Sequence, residues 1–343
     1  MKFLKSCRSL IKKLERNTHK QNAFIISSVR YFNTDSTEKK YIPRRSLMYI
    51  PGHDIKKLQK VPKLNTDCAV LECEDGVALN MKAQARENVC KVLDTMEFGI
   101  TDIAVRINSV SSGLYQDDLN VILSATNLPQ TILLPKVDYV EELQMFTNQF
   151  QAVLKDKNIK NYQPYLITYV ESAIGIMNLR DTLNAATQHT KEGIYHIDGV
   201  VFGSDDFCAD IGATRSSEGS EIMFARQQVV MTAKAYKLQA IDMVSIDLKD
   251  MESLKRQSLE GARMGYTGKQ IIHPNQVPVV NEAFTPSTDK IEWATELIQA
   301  FEHHQETGKG AFTFQGHMID MPLLLQAKNI LQLVRILQRS TYK

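Results

Sequence analysis

The sequence predicts a (β/α)8 TIM barrel with a C-terminal helical extension. Short apolar segments of strand type recur after residue 40, helix-like stretches separate them, and there are eight such segments. Apolar strands that alternate with helices are typical of parallel βαβ units, and eight units in about 230 residues suit a closed barrel. A doubly wound open sheet is the alternative. The count of eight, and the lack of a GxGxxG turn after the first strand, favour the barrel.

The predicted elements can be assigned along the chain. The strands are SLMYI (46–50), CAVLE (68–72), IAVRI (103–107), TILLP (131–135), YLITYV (165–170), GVVFG (199–203), LQAIDMV (238–244) and KQIIH (269–273). The clearest helices between them are 80–96, 141–155, 221–237 and 250–265. A helix over 288–305 and a glycine-punctuated tail from about residue 308, ending in another amphipathic helix, follow the last strand. We therefore expect a barrel over residues 41–305 and an extension over 306–343.

The N-terminal segment differs in composition from the rest of the chain. Residues 1–32 carry eight Lys or Arg side chains and a single acid, Glu15. Their apolar residues fall on one face of a helix: Phe3, Leu4, Leu10, Ile11 and Leu14. A basic, acid-poor amphipathic segment is typical of a mitochondrial transit peptide, and a disordered basic tail is the alternative. We expect residues 1–40 to be a transit peptide with a flexible lead, and the protein to act in the mitochondrial matrix.

The composition excludes several classes of function. The formal net charge is +2, and the basic N-terminus accounts for more than all of it, so the remainder is mildly acidic and gives no support for nucleic-acid binding. No apolar run reaches the roughly 18–20 residues that a membrane span needs. The five cysteines show no CxxC spacing, and there is no HExxH, P-loop or GxSxG motif.

Polar or ionisable side chains stand at nearly every predicted strand end. In a barrel these ends meet at one rim, which is where barrel enzymes place their chemistry. In chain order the residues are Tyr49, Glu72 with Glu74 and Asp75, Arg106, Lys136, Glu171, Asp205 with Asp206, Asp242 and His273. A single such residue is routine, whereas a whole ring predicts an active site at the rim.

Glu171 and Asp206 form a candidate metal site. They close consecutive strands, which are neighbours in a barrel, so their carboxylates are expected to converge. Mg²⁺ takes one or two protein carboxylates and fills its remaining positions with water and substrate oxygens. Two solvated loop acids are the alternative, and position alone does not exclude them.

Three basic residues are candidates for binding anions. Lys56 and Lys60 are four residues apart and share one face if that stretch is helical, where they could hold phosphates. An ordinary solvated helix face is the alternative. Arg106 lies among apolar neighbours and requires an anionic partner. That partner is either Glu72 or Glu74, in a structural ion pair, or a substrate carboxylate or developing enolate.

Several segments in order carry a family resemblance over about residues 41–335. They are RRSLMYIPGHDIKKLQK, AVLECEDGVALNMKAQAR, VRINS, LLPKV, VESAIGIMN, VFGSDDFCADIGA, GYTGKQIIHPNQ and GAFTFQGHMIDMPLL. Together they resemble the citrate lyase beta-subunit/malyl-CoA lyase family. The resemblance implies a barrel that reversibly cleaves a 3-hydroxyacyl-CoA into acetyl-CoA and a 2-keto acid with Mg²⁺, with a synthase side activity in the condensing direction. It also implies a homotrimer.

The resemblance implies roles for individual residues. The family's metal ligands fall on Glu171 and Asp206, with Asp205 at a variable acidic position. Arg106 is implied to stabilise the enolate, and Asp320 in the G-x-M-I-D motif is implied as the catalytic acid or base. Positions implied to contact the acyl-CoA are Tyr49, Lys56, Lys60, Ile272 and His273.

The chain departs from the family pattern at two places, and rival functions remain open. Ser172 stands where Thr is usual, and Ser204-Asp205 stands where Gly-Glu is common, which leaves open which acid of the pair binds the metal. One rival is a malyl-CoA lyase or a thioesterase acting on the same kind of thioester. The other is a non-catalytic subunit that binds CoA esters.

Overall fold

The computed structural model describes residues 41–307 and 312–341. The predicted transit peptide, residues 1–40, lies outside the described residues. The described chain divides into two compact units, of which the larger is Arg44–Phe284 and the smaller contains residues 41–43 and everything described after Phe284. This division falls before the helix that begins at Thr288, whereas the sequence placed its boundary after residue 305.

The larger unit is a closed barrel of eight parallel strands, as predicted. The strands are β1 Ser46–Pro51, β2 Cys68–Glu72, β3 Asp102–Arg106, β4 Thr131–Leu134, β5 Tyr165–Val170, β6 His196–Phe202, β7 Gln239–Asp242 and β8 Gly268–Ile271. Each strand pairs with the next, and β8 pairs with β1 through Ser46 and Lys269. All strands therefore end at the same rim, and the open-sheet alternative is excluded.

Helices follow the strands and cover the outside of the barrel. They are α1 Ile55–Leu58, α2 Lys82–Thr95, α3 Tyr115–Ile122, α4 Val140–Asp156, α5 Ala173–Lys191, α6 Ser204–Ile211, α7 Met223–Ala235, α8 Met251–Met264 and α9 Gln276–Ala283. The four helices that the sequence placed most clearly correspond to α2, α4, α7 and α8. Short 3-10 turns occur at Val61–Lys63, Leu79–Met81 and Ser220–Ile222.

The strands are apolar throughout because both of their faces are buried. Along β5, Leu166 and Val170 pack against the helices, whereas Ile167 and Tyr169 lie in a second apolar cluster inside the barrel. Successive side chains of a strand point to opposite faces, so one strand contributes to both cores. The same alternation decides which residues near a strand end reach the barrel interior.

A buried ion-pair cluster closes the amino-terminal end of the barrel. Arg44 is fully buried and donates hydrogen bonds to Asp102 at 2.5 Å, to Thr131 at 3.1 Å and to Asp198. These partners belong to β3, β4 and β6, so one guanidinium joins three strands. Breaking such a pair by removing one partner typically costs about 3–5 kcal/mol, because a charge is left buried without its counter-ion. The charges at this end therefore support the fold.

The smaller unit is a pair of helices with a short hairpin. Its elements are α10 Thr288–Thr307, β9 Thr313–Phe314, β10 His317–Met318 and α11 Met321–Thr341. Ile291 and Leu297 of α10 pack with Leu331 and Val334 of α11 in an apolar cluster. The predicted C-terminal helical extension is confirmed. No helix in the described part of the chain is long and apolar enough to cross a membrane.

Candidate active site at the carboxyl ends of the strands

A cavity of about 590 Å³ opens among the carboxyl ends of the strands. Eight barrel residues have a predicted role in catalysis, acyl-CoA binding or metal binding. Seven of them line this cavity: Tyr49, Lys60, Arg106, Glu171, Asp206, Ile272 and His273. They come from elements far apart in the chain, and barrel closure brings them together.

Lys56 does not line the cavity, whereas its neighbour Lys57 does. α1 ends at Leu58 and a separate 3-10 turn begins at Val61, while Gln59 and Lys60 between them keep a right-handed helical backbone. Proline at position 62 has no backbone N–H to donate and favours the start of a new turn. Lys57 and Lys60 are therefore the two lysines at the mouth of the cavity.

Arg106 is held between two carboxylates and two aromatic rings. Its Nε lies 2.6 Å from Glu72 Oε2, and its Nη1 lies 3.1 Å from Glu74 Oε2. The guanidinium lies 4.8 Å from the ring centre of Tyr49 and 5.5 Å from that of Tyr169. The ion pair considered from the sequence is therefore present. A guanidinium carries five N–H donors, so an arginine that also lines the cavity can still donate to an anion there.

A directed chain of hydrogen bonds fixes the rings beside Arg106. Tyr49 donates to Gln270 Oε1 at 2.8 Å, and its oxygen lies 2.6 Å from the Tyr169 hydroxyl. Because Tyr49 has one proton and gives it to Gln270, Tyr169 is the donor in the second bond. Gln270 Nε2 donates to the carbonyl oxygens of Phe202 and Asp242, which sets the orientation of the amide. Because these hydrogen bonds fix both tyrosine rings, Arg106 between them has little freedom to reorient.

Glu171 is a buried carboxylate at the end of β5. Its Oε2 accepts a hydrogen bond from the backbone N–H of Lys136 at 3.0 Å. A Cβ atom at Gly203 would stand 2.4 Å from Glu171 Oε1, so only glycine fits beside it. Burial raises the pKa of Glu171 to about 8, and the charges of Glu74 and Asp206 act in the same direction, against the lowering effect of Arg106.

The two adjacent aspartates of GSDD have different surroundings. Both lie in the first turn of α6 and line the cavity. Asp205 forms an ion pair with Arg215, which itself donates to the carbonyl oxygen of Val244. Asp206 has Lys136 Nζ at 3.9 Å, beyond hydrogen-bond distance. Asp205 is thus engaged by an arginine, and Asp206 retains its capacity to bind a cation.

The donor set fits a hard divalent cation that also binds substrate. Among the described residues no group of three or more His, Cys, Asp or Glu forms a complete metal site. Glu171 and Asp206 supply two carboxylates, which is the number that Mg²⁺ takes when water and substrate oxygens fill its other positions. In the part of the chain that the structure describes, no group donates a hydrogen bond to Glu171 Oε1. The Glu171 residue is buried yet lines the cavity, so a cation there would offset the cost of burying its charge.

Three residues that sequence reasoning gave no role contribute to the site. Lys136 was noted only as a strand-end residue, and Tyr169 and Gln270 were not singled out. The period-two alternation of β5 is a signal that could have found Tyr169, because Ile167 and Tyr169 share the inward face. Nothing in the sequence shows that Tyr169 meets Tyr49, or that Tyr49 meets Gln270, since these contacts cross the barrel interior.

Asp320 belongs to the smaller unit, where it is exposed. Its Oδ1 accepts a hydrogen bond from the backbone N–H of Leu323 at 3.2 Å, at the start of α11. Aspartate is a favoured residue for capping a helix N-terminus in this way. The structure thus gives Asp320 a fixed carboxylate, and its catalytic role stays a prediction.

A known protein family and several characterised proteins are similar to this chain in sequence. Residues 45–274 match the family model HpcH/HpaI aldolase/citrate lyase. Human mitochondrial citramalyl-CoA lyase is 52% identical over 305 residues, which cover 88% of this chain and 88% of the human protein. A (3S)-malyl-CoA thioesterase of Cereibacter sphaeroides is 28% identical, over 84% of this chain and 94% of that protein.

Solved structures share the fold. CitE from Mycobacterium tuberculosis, in complex with magnesium, acetoacetate and coenzyme A, superposes with a TM-score of 0.67 at 24% identity, covering 85% of this chain and 98% of CitE. A citrate lyase from Burkholderia xenovorans gives a TM-score of 0.74 at 21% identity, covering 88% of this chain and 94% of that one. At this level of identity the similarity establishes the barrel with its C-terminal helical region.

The raised pKa of Glu171 predicts how the folding stability of the metal-free protein depends on pH. The folded state keeps a proton on Glu171 between pH 4.5 and about 8, whereas the unfolded state has lost it, so stability falls as pH rises through this window. We expect the melting temperature in EDTA to fall more steeply between pH 5.5 and 8.5 for the native chain than for Glu171→Gln. Thermal unfolding followed by circular dichroism measures the two slopes.

The matched control for this experiment is Glu192→Gln, which changes an exposed carboxylate at the C-cap of α5. Added Mg²⁺ should remove much of the slope of the native chain, because the cation favours the ionised carboxylate. Identical slopes for the native chain and Glu171→Gln in EDTA would contradict the assignment of a raised pKa.

Proposed function

The chain belongs to the HpcH/HpaI aldolase/citrate lyase family, and we propose that it is a magnesium-dependent citramalyl-CoA lyase. The reaction is the reversible cleavage of citramalyl-CoA into acetyl-CoA and pyruvate, a retro-Claisen or aldol-type carbon–carbon lyase step. The observation that carries this proposal is the convergence of Arg106, Glu171 and Asp206 on one cavity of about 590 Å³. A malate or methylmalate synthase side activity is also proposed: it would combine condensation of an acyl-CoA with a 2-keto acid and hydrolysis of the resulting thioester by water, which releases CoA.

Glu171 and Asp206 are proposed to hold the Mg²⁺ ion. Magnesium is also the ion in the mycobacterial CitE structure. When bound, the cation supplies electrophilic stabilisation to the carboxylate and hydroxyl oxygens of the substrate as the hydroxyl becomes the ketone of pyruvate. The protein's part is to present both carboxylates together: Gly203 leaves room for Glu171, and the backbone of Lys136 orients it.

Arg106 is proposed to stabilise the enolate of acetyl-CoA. Cleavage moves an electron pair toward the thioester, so negative charge builds on its oxygen, where a fixed N–H donor has most effect. Glu72 and Glu74 hold the guanidinium, and the rings of Tyr49 and Tyr169 beside it restrict its movement. A donor that is already oriented needs no rearrangement at the moment when charge develops.

The CoA portion is proposed to lie along the mouth of the cavity. The residues that would contact it are Tyr49, Lys56, Lys60, Ile272 and His273. Ammonium groups bind phosphates as mobile point charges, which suits the flexible, exposed lysines at this position. Lys57, which lines the cavity beside Lys60, joins this set.

Asp320 is proposed to protonate the enolate carbon in cleavage and to remove a methyl proton of acetyl-CoA in condensation. It lies in the C-terminal extension, so it serves either the barrel of its own chain or that of a neighbour. We propose a homotrimer in which the extension of one subunit completes the site of the next. We also propose a matrix location, with residues 1–40 as the transit peptide; the human relative is named as mitochondrial.

A malyl-CoA lyase or malyl-CoA thioesterase is the second candidate, and the Cereibacter sphaeroides relative favours it. One methyl group is worth only about 1–3 kcal/mol of discrimination, so small changes of cavity shape decide between citramalyl-CoA and malyl-CoA. A non-catalytic CoA-ester-binding subunit is a third candidate. The fixed Arg106 beside two convergent carboxylates argues against it, because binding alone does not require that arrangement.

Turnover of two thioesters by the purified protein tests the proposed activity. We expect citramalyl-CoA to give equal amounts of acetyl-CoA and pyruvate, faster than malyl-CoA gives products, with EDTA abolishing both reactions and Mg²⁺ restoring them. Chromatography of the CoA species measures the products. Free CoA without acetyl-CoA would establish the thioesterase, and turnover that EDTA leaves unchanged would contradict the metal assignment.

Subunit mixing tests whether Asp320 acts in a neighbouring barrel. Asp320→Asn and Arg106→Ala chains, each inactive alone, are co-expressed with different tags and purified as mixed oligomers. If sites are shared between the subunits of a trimer, one of the three sites in each mixed oligomer regains both groups, and activity should approach about a third of the native value. An inactive mixture of confirmed mixed oligomers would show that each site is built within one chain.

A further inference from the structure

Lys136 has a backbone conformation that is rare for its residue type. It follows β4 and Pro135 and has φ 52°, in the left-handed region that L-residues other than Asn, Asp and Gly seldom adopt. Such a conformation persists only where the surroundings impose it, and it is concentrated at functional sites. Here it accompanies the hydrogen bond that the Lys136 N–H donates to Glu171 Oε2.

The side chain of Lys136 extends into a group of carboxylates. Its Nζ lies 3.1 Å from Glu74 Oε1, 3.2 Å from Asp75 Oδ2 and 3.9 Å from Asp206 Oδ1. One residue therefore contacts both proposed metal ligands, Glu171 through its backbone and Asp206 through its ammonium group. This side chain is only one-third exposed, so water screens its charge incompletely.

More acidic than basic side chains surround Lys136. Near the two cations Arg106 and Lys136 lie five acidic side chains, which are Glu72, Glu74, Asp75, Glu171 and Asp206. Arg106 is engaged by Glu72 and Glu74. Among the described residues, Lys136 is the one cation within 4 Å of Asp206.

We propose that Lys136 is a built-in counter-ion of the metal site, which holds the carboxylates together without a cation and competes with a bound cation for them. The inference rests on the proposed metal site and goes beyond it, because it assigns a residue that sets metal affinity without being a ligand. A single positive charge beside a divalent cation opposes its binding, and more strongly where the site is partly buried. Lys136 therefore weakens Mg²⁺ binding and makes it readily reversible.

Calorimetric titration of Mg²⁺ into the metal-free protein tests whether Lys136 weakens Mg²⁺ binding. We expect Lys136→Met to bind Mg²⁺ more tightly than the native chain, with Kd lower by on the order of tenfold. Lys136→Gly also removes the ammonium group and suits the positive φ, so it guards against misfolding of the Met variant. It should show the same tightening, while Lys136→Arg, which keeps the charge, should stay close to the native Kd.

Lys60→Met is the matched control, since Lys60 is a lysine that lines the cavity, whereas the ion pairs with Glu74, Asp75 and Asp206 belong to Lys136. Its Kd for Mg²⁺ should change by less than about twofold. An unchanged or weaker Kd in both Lys136→Met and Lys136→Gly would overturn the counter-ion role and show that Lys136 only orients the ligands. Failure of the native chain to bind Mg²⁺ would instead overturn the proposed metal site, and this inference with it.

Discussion

The mutual repulsion of carboxylates at the mouth of the barrel is the constraint on which the rest of the site depends. Like charges in a partly buried space cannot all remain ionised without compensation. Burial, reinforced by the charges of Glu74 and Asp206, raises the pKa of Glu171. Arg106 offsets the charges of Glu72 and Glu74, and the ammonium group of Lys136 offsets those of Glu74 and Asp75. The proposed divalent cation would offset part of the remaining negative charge, so these electrostatics suit the reaction that we propose.

Closure of the barrel brings these carboxylates together, and the fold accommodates their repulsion. Parallel strands in a closed ring bring every carboxyl end to one rim, which places Glu171 directly after β5 and Asp206 in the helix that follows the neighbouring β6. The opposite end carries the buried cluster of Arg44 with Asp102 and Asp198, where the charges are paired within the protein. Stability at one end and chemistry at the other are thus separated, and changes at the rim need not weaken the barrel.

The sequence predicted what depends on local pattern. Eight apolar segments gave eight strands, and their ends gave the convergence of Glu171 and Asp206 on the cavity, because strand position alone determines which rim a residue reaches. It did not predict that Lys57, next to Lys56, lines the cavity together with Lys60. Contacts across the barrel interior, such as that of Tyr169 with Tyr49, depend on how the ring closes. The backbone of Lys136 was equally hidden, since lysine carries no preference for positive φ.

The adjacent Asp205 and Asp206 offer the most direct test of the central claim that the strand ends bind a divalent cation. Mn²⁺ binding followed by electron paramagnetic resonance measures affinity without any turnover. We expect Asp206→Asn to weaken Mn²⁺ binding at least about tenfold, because it loses a ligand. Asp205→Asn should stay within about threefold of the native Kd, since Asp205 is already paired with Arg215. Equal affinities in both variants, or the reverse order, would contradict the assignment of Asp206 as the metal ligand.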